Sequence, residues 1–114
     1  MTNQELINEF VYYGTDIDTA RNGNGTLRIE NGNLYSYELL IAEFTTEYND
    51  TWTIHLHDYN INAIAKISGF RSMTTRQHIG MVKRQIQESS NNLVVFEYND
   101  KAEMTNIIGN GVPV

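Results

Sequence analysis

Residues 26–44 read TLRIENGNLYSYELLIAEF, and the Asn31-Gly32 pair inside this stretch decides what kind of fold follows. Asn-Gly between two alternating runs is the strongest short-range hairpin signal, because a type I′ turn needs positive φ at both central positions. A two-residue turn pairs Glu30 with Asn33, Ile29 with Leu34, Arg28 with Tyr35 and Leu27 with Ser36. Side chains alternate along a strand, so Leu27, Ile29, Leu34 and Ser36 share one face. Thr26, Arg28, Tyr35 and Tyr37 share the other. The run continues as ELLIAEF, with Leu39 and Ile41 on one parity and Leu40, Ala42 and Phe44 on the other. A strand apolar at both parities is either covered on both faces or bent at a bulge.

Working outward, TWTIHLH (51–57) alternates, with Trp52, Ile54 and Leu56 toward a core and Thr53, His55 and His57 away from it. LVVFEY (93–98) predicts a further strand, and a short one is expected around 63–67. TNQELINEFVYY predicts a helix over 3–12. Thr2 is its N-cap, Glu5 completes a capping box, and Leu6, Ile7 and Phe10 form the apolar stripe. SMTTRQHIGMVKRQIQES (72–89) predicts a second helix from about 75 to 88. Thr74 is expected as its N-cap with Gln77 closing the box, and Ile79, Val82 and Ile86 face inward. The Gly/Asn run at 22–25 reads as a flexible turn within a loop over 14–26. With no preceding strand and no Lys-Ser/Thr at a following helix, it does not fit a phosphate-binding loop. Residues 104–114 are expected to form a loose tail. The sum is a single α+β domain over 1–114: an antiparallel sheet of four to five strands, an N-terminal helix, and a second helix packed on one face.

The chain has 114 residues, with 14 acidic against 8 basic side chains and a net charge of −6. A chain of this length buries a core without staples. It has no cysteine, which excludes disulfides, thiolate metal sites and a cysteine nucleophile. No apolar run approaches the roughly 18 residues that span a bilayer. MTNQELINEF lacks the basic and apolar segments of a signal peptide, which points to a soluble cytoplasmic protein. The acidic balance opposes duplex nucleic acid and suits a partner with a basic surface.

Against that acidity, residues 71–88 hold Arg71, Arg76, Lys83 and Arg84 with only Glu88 opposing them. On a helix, Arg76, Gly80 and Lys83 follow at steps of four and three, with Arg84 beside them, so they form a ridge distinct from the buried stripe. This ridge is either a solvated basic face or a surface for an acidic or phosphate-bearing partner. Gly80 costs about 1 kcal/mol in a helix interior relative to Ala, which leads one to expect a close approach to the backbone there. Tyr35 and Tyr37 share a face that could pack internally, or stack on a ligand together with Tyr12, Tyr13 and Trp52. His55 and His57, on one face of a strand, are the candidate metal ligands, yet spacing supplies only two of the three or four that zinc requires. His78 is expected to pack on Met73 at the start of the helix, with acid–base work as the sharper option. The carboxylate pairs Asp16/Asp18 and Glu43/Glu47 show no sign of the dry pocket that acid–base chemistry needs. No catalytic residue and no cofactor is assigned.

The stretches NGNLYSYELLIAEF and MTTRQHIGMVKR combine a Gly-containing turn, a Leu-Tyr-Ser-Tyr strand running into Ile-Ala, and a Thr-Thr-x-x-His at a helix start. In this the chain resembles uncharacterised small proteins encoded by tailed bacteriophages, over about residues 10–98. The resemblance implies a role in host takeover, evasion of host defence or virion assembly, and it carries over no functional residue. The expectation is a non-catalytic protein that binds and inhibits a host macromolecule. The alternatives are a module sequestering a small nucleotide-like ligand, or an accessory, homo-oligomeric virion protein.

Overall fold

The computed structural model describes residues 1–13, 17–47, 51–58, 72–88, 93–99, 101 and 103–108. In chain order these form α1 (Asn3–Tyr13), β1 (Thr19–Arg21), β2 (Leu27–Glu30), β3 (Asn33–Ser36), β4 (Leu39–Glu47), β5 (Thr51–His57), α2 (Ser72–Glu88), β6 (Leu93–Tyr98) and β7 (Met104–Ile108). The fold is α+β, with a sheet of seven strands in sequence order instead of the expected four to five. The two additional edge strands come from segments read as irregular: β1 from the 14–26 loop, and β7 from the supposed tail. The short strand expected around 63–67 lies outside the described residues.

The hairpin forms as its turn chemistry dictates. Asn31 and Gly32 take φ of 51° and 81°, and the register is Glu30↔Asn33, Ile29↔Leu34, Arg28↔Tyr35 and Leu27↔Ser36. Leu27, Ile29, Leu34 and Ser36 are fully buried. The chain then turns again at Tyr37, whose φ is 56°, and β4 runs back along β3. Tyr35 pairs with Leu40 but Leu34 with Ala42, so Ile41 is the extra residue of a bulge. That bulge lets Ile41 and Ala42, neighbours in sequence, both be buried, and it explains the apolar residues at both parities.

The sheet is not wholly antiparallel, because β5 and β6 are parallel. Parallel neighbours need a crossover, and α2 lies within the connection between these two strands. The 22–25 run is more ordered than its composition suggests. Asn22 is buried; its Nδ2 donates to Asn3 Oδ1 and Thr26 Oγ1, while its Oδ1 accepts the Leu27 N–H. The Gly23 N–H donates to the Met1 carbonyl, so the loop is tied to the chain's start.

Both helices contribute to one core with the sheet. Leu6, Ile7, Phe10 and Val11 of α1 meet Ile79 and Val82 of α2 and the inward residues of β2 to β6. Phe10 packs edge-on against Phe44, with centroids 5.9 Å apart. The α1 capping box is present: the Thr2 N–H donates to Glu5 Oε1 and the Glu5 N–H to Thr2 Oγ1. The Thr2 N–H, and after it the Thr2 hydroxyl, hold the Glu5 carboxyl below its ordinary pKa. Helix α2 begins at Ser72, earlier than expected, so Thr74 and Gln77 are helical residues and not a cap and its partner. Trp52 faces the expected way, since it pairs with inward Leu93, but it sits at the sheet's end beside Phe44 and is 41% exposed. It is therefore peripheral to the core.

Candidate functional site

Three constellations of polar side chains emerge, and α2 carries two of them. Its buried stripe runs Thr75, His78, Ile79, Val82 and Gln85, with Ile86 packed alongside. These positions follow the i, i+3, i+4 rhythm of a helix, and half of them are polar. Gln85 Oε1 accepts from Gln4 Nε2 of α1 at 3.0 Å. Ser36 Oγ, at the end of β3, lies 2.9 Å from Thr75 Oγ1 and 2.7 Å from His78 Nδ1. His78 therefore does not pack on Met73, which is 59% exposed. It closes a neutral hydrogen-bonded trio between helix and sheet. Burial pulls its pKa below the ordinary histidine value of 6.5, so the imidazole is neutral at pH 7. A Ser–His contact of this length is also what nucleophilic catalysis uses. Here Ser36, Thr75 and His78 are all sealed from solvent, so the serine cannot meet a substrate in this conformation.

The second constellation absorbs part of the basic ridge. Arg76 Nη1 and Lys83 Nζ each lie 2.7 Å from Asp58, on Oδ1 and Oδ2 respectively. Asp58 follows the last residue of β5, so the two cations tie the opposite flank of α2 to that strand's end. Burial alone would raise the Asp58 pKa; the hydrogen bonds and charges of Lys83 and Arg76 outweigh it and leave the carboxyl below its ordinary value. Arg84 stays on the exposed side. Gly80 is exposed, and a side chain added there would meet no described residue within 4 Å. The close backbone approach expected at Gly80 is therefore absent among the described residues.

The third lies on the sheet face opposite the helices. Arg28 stacks over the Tyr35 ring at 4.5 Å, donates from Nε to Glu30 at 3.0 Å, and donates from Nη1 to the Tyr37 carbonyl. One face of Tyr35 is thus already occupied, while Tyr37 serves the β3–β4 turn through its backbone. Across β5 and β6, His55 stacks on Phe96 and Tyr98, and His57 stacks on Tyr98. His55 Nδ1 meets the Tyr98 hydroxyl at 2.7 Å, and His57 Nε2 meets Glu43 Oε2 at 3.4 Å. A ring nitrogen of each candidate metal ligand is thereby directed at a protein partner. Among the described residues no group of three or more His, Cys, Asp or Glu could hold a metal ion.

The sequence singled out Arg76, Gly80, Lys83, Arg84, Tyr35, Tyr37, His55 and His57. The fold brings Arg76 to Lys83 through Asp58 and leaves Tyr35 and Tyr37 grouped with Arg28. It does not merge these sets into one pocket. Sequence reasoning missed Ser36 and Thr75 as partners of His78, although their phase on β3 and on α2 was available. No helix among the described residues is long and apolar enough to cross a membrane. No protein-family model matches the chain, and neither does any curated protein or solved structure.

Proposed function

We propose that this chain is a non-catalytic binding protein that covers and blocks a basic surface on a macromolecular partner. In the setting implied by the phage resemblance, the partner is a host protein in the bacterial cytoplasm. The observation that carries this reading is how charge is arranged at the β2–β3 hairpin. Arg28, whose side chain is 26% exposed, lies beneath Glu30 and Glu38, which are 48% and 90% exposed. The hydrogen bond from the Asn31 N–H to the Asp18 carbonyl brings a further exposed carboxylate beside the hairpin. Arg28 is held against Tyr35 while Asp18, Glu30 and Glu38 are exposed, and the exposed Arg21 across from Arg28 on β1 offsets only one of these three carboxylates, so negative charge is in surplus toward solvent. An outward acidic surface speeds encounter with a basic partner and weakens as salt rises. Arg76 and Lys83 are committed to Asp58, which leaves less of the α2 ridge for an acidic or phosphate-bearing partner.

The test is capture of a partner from bacterial lysate, followed by association kinetics. Changing both Asp18 and Glu38 to Lys is expected to slow association at low salt by at least about tenfold without loss of fold. Association indifferent to both the substitutions and salt would contradict the proposal. One observation favours a second reading, a small polar ligand: an open cavity of about 240 Å³ lies at β1 and β2, lined by Thr19, Arg21, Arg28 and Glu30 among others. Native mass spectrometry of the purified chain separates the two readings.

A further inference from the structure

The sequence contains four Asn-Gly pairs, at Asn22, Asn24, Asn31 and Asn110, of which the first three lie among the described residues. Asn-Gly is the dipeptide most open to attack of the following backbone nitrogen on the asparagine side chain, because glycine puts no side chain in the way. The three described pairs differ sharply in how they are held. Asn22 is buried, both ends of its carboxamide are bonded, and it cannot turn toward Gly23 without breaking contacts to Asn3, Thr26 and Leu27. Asn24 is exposed, but its Oδ1 accepts from the Thr26 hydroxyl at 2.9 Å. The Gly25 N–H, which would have to attack, donates to the Asn22 carbonyl at 3.2 Å. Asn31 is exposed, and its carboxamide makes no hydrogen bond with any described residue. It stands at the tip of a two-residue turn, where its own N–H donates to the Asp18 carbonyl at 2.8 Å and the buried Gly32 accepts the Phe44 N–H at 2.7 Å through its carbonyl, while the Gly32 N–H, which would have to attack, donates to no described residue.

We infer that Asn31 is a site of spontaneous covalent modification, converting to an acidic residue while Asn22 and Asn24 are protected by the fold. The Gly32 nitrogen attacks Asn31 Cγ, the Cγ–Nδ2 bond breaks, and ammonia leaves with the Gly32 amide proton, forming a five-membered succinimide. Water then opens the ring at either carbonyl, giving aspartate or isoaspartate. The net change is one water consumed and one ammonia released, with no oxidant or other reactant. Aspartate is accepted in the same turn, since Asp-Gly favours the type I′ geometry as Asn-Gly does. Isoaspartate inserts one more carbon into the main chain and disrupts the tight turn. Either product adds a negative charge beside Asp18 and Glu30, on the surface proposed to meet a basic partner. The modification itself does not depend on that proposal.

The experiment is incubation of the folded full chain at mildly alkaline pH, with a parallel sample unfolded in urea. Peptide mapping with fragmentation then measures acid formation at each asparagine. The folded chain is expected to convert Asn31 first, with Asn22 at least about tenfold slower, because its amide must first break its bonds. In urea the difference between Asn22 and Asn31 should collapse. Equal rates at Asn22 and Asn31 in the folded chain would overturn the inference, and so would conversion at Asn24 while Asn31 stays intact.

Discussion

The two flanks of α2 are anchored by opposite means. Toward β3, Ser36, Thr75 and His78 form a neutral trio closed to water. Toward the end of β5, Asp58, Arg76 and Lys83 form a charged trio that water still reaches, with side-chain exposures of 25%, 41% and 36%. In a buried site an unpaired polar group carries a heavy desolvation penalty, so each member of the neutral trio depends on the others. At a half-exposed site, solvent and salt replace much of what a lost partner supplied. Short distances on both flanks therefore do not mean equal strength.

The sharpest way to break this comparison is to remove one member from each flank. His78→Ala is expected to destabilise the protein by about 2–4 kcal/mol in urea melts, since it opens a cavity and strips Ser36 of a partner. A loss below about 1 kcal/mol would place the buried flank on a par with the exposed one. Asp58→Ala is expected to cost only about 1 kcal/mol, and the loss should shrink as salt is raised. A loss as large as that of His78→Ala would mean that the charged trio is more dehydrated than its exposure indicates. The smallest effect should appear between the flanks and solvent. Gly80→Ala is expected to stabilise by about 0.5–1 kcal/mol, because the position is helical and open. A destabilising Gly80→Ala would show that something does approach the backbone there.

Local chemistry was the legible part of this fold. Asn31-Gly32 specifies its turn within four residues, and the register of β2 and β3 follows from it. The Thr2–Glu5 box and the stripe of α1 are equally local. The bulge at Ile41 could be anticipated from apolar residues at both parities, though not its position. What depends on contacts distant in sequence could not be read. Parallel pairing of β5 with β6 arises because the chain passes through α2 before returning, and no residue in either strand announces it. Strand β7 is uncharged and follows a Glu103–Asn99 turn, but its nearness to Gly and Pro suggested a tail. On α2, the apolar residues Ile79, Val82 and Ile86 marked the buried face, whereas Thr75 and Gln85 drew no core assignment and His78 was directed to Met73. Those three occupy the same buried face. Helical phase alone would have placed them inward, but a polar residue at a core position invites a surface reading until its partner is seen. For His78 that partner is Ser36, 42 positions away.

The most direct test of the two-anchor account is stability as a function of pH. His78 has a folded-state pKa below its ordinary 6.5, so the unfolded chain takes up its proton more readily. Its contribution is complete above pH 6.5 and falls as the pH drops toward the folded-state value, with a limiting slope of about 1.4 kcal/mol per pH unit. The Asp58 pKa also lies below its ordinary 3.8, so its contribution is present above that pH and is lost only below it. Between pH 6.5 and 3.8 acid should therefore weaken the buried flank and spare the charged one. The measurement is urea unfolding across this window for the unchanged chain and for His78→Asn, whose carboxamide can still accept from Ser36. The unchanged chain is predicted to lose more stability on acidification than the variant, with the difference growing from pH 6.5 downward. Parallel pH profiles for the two would contradict the account.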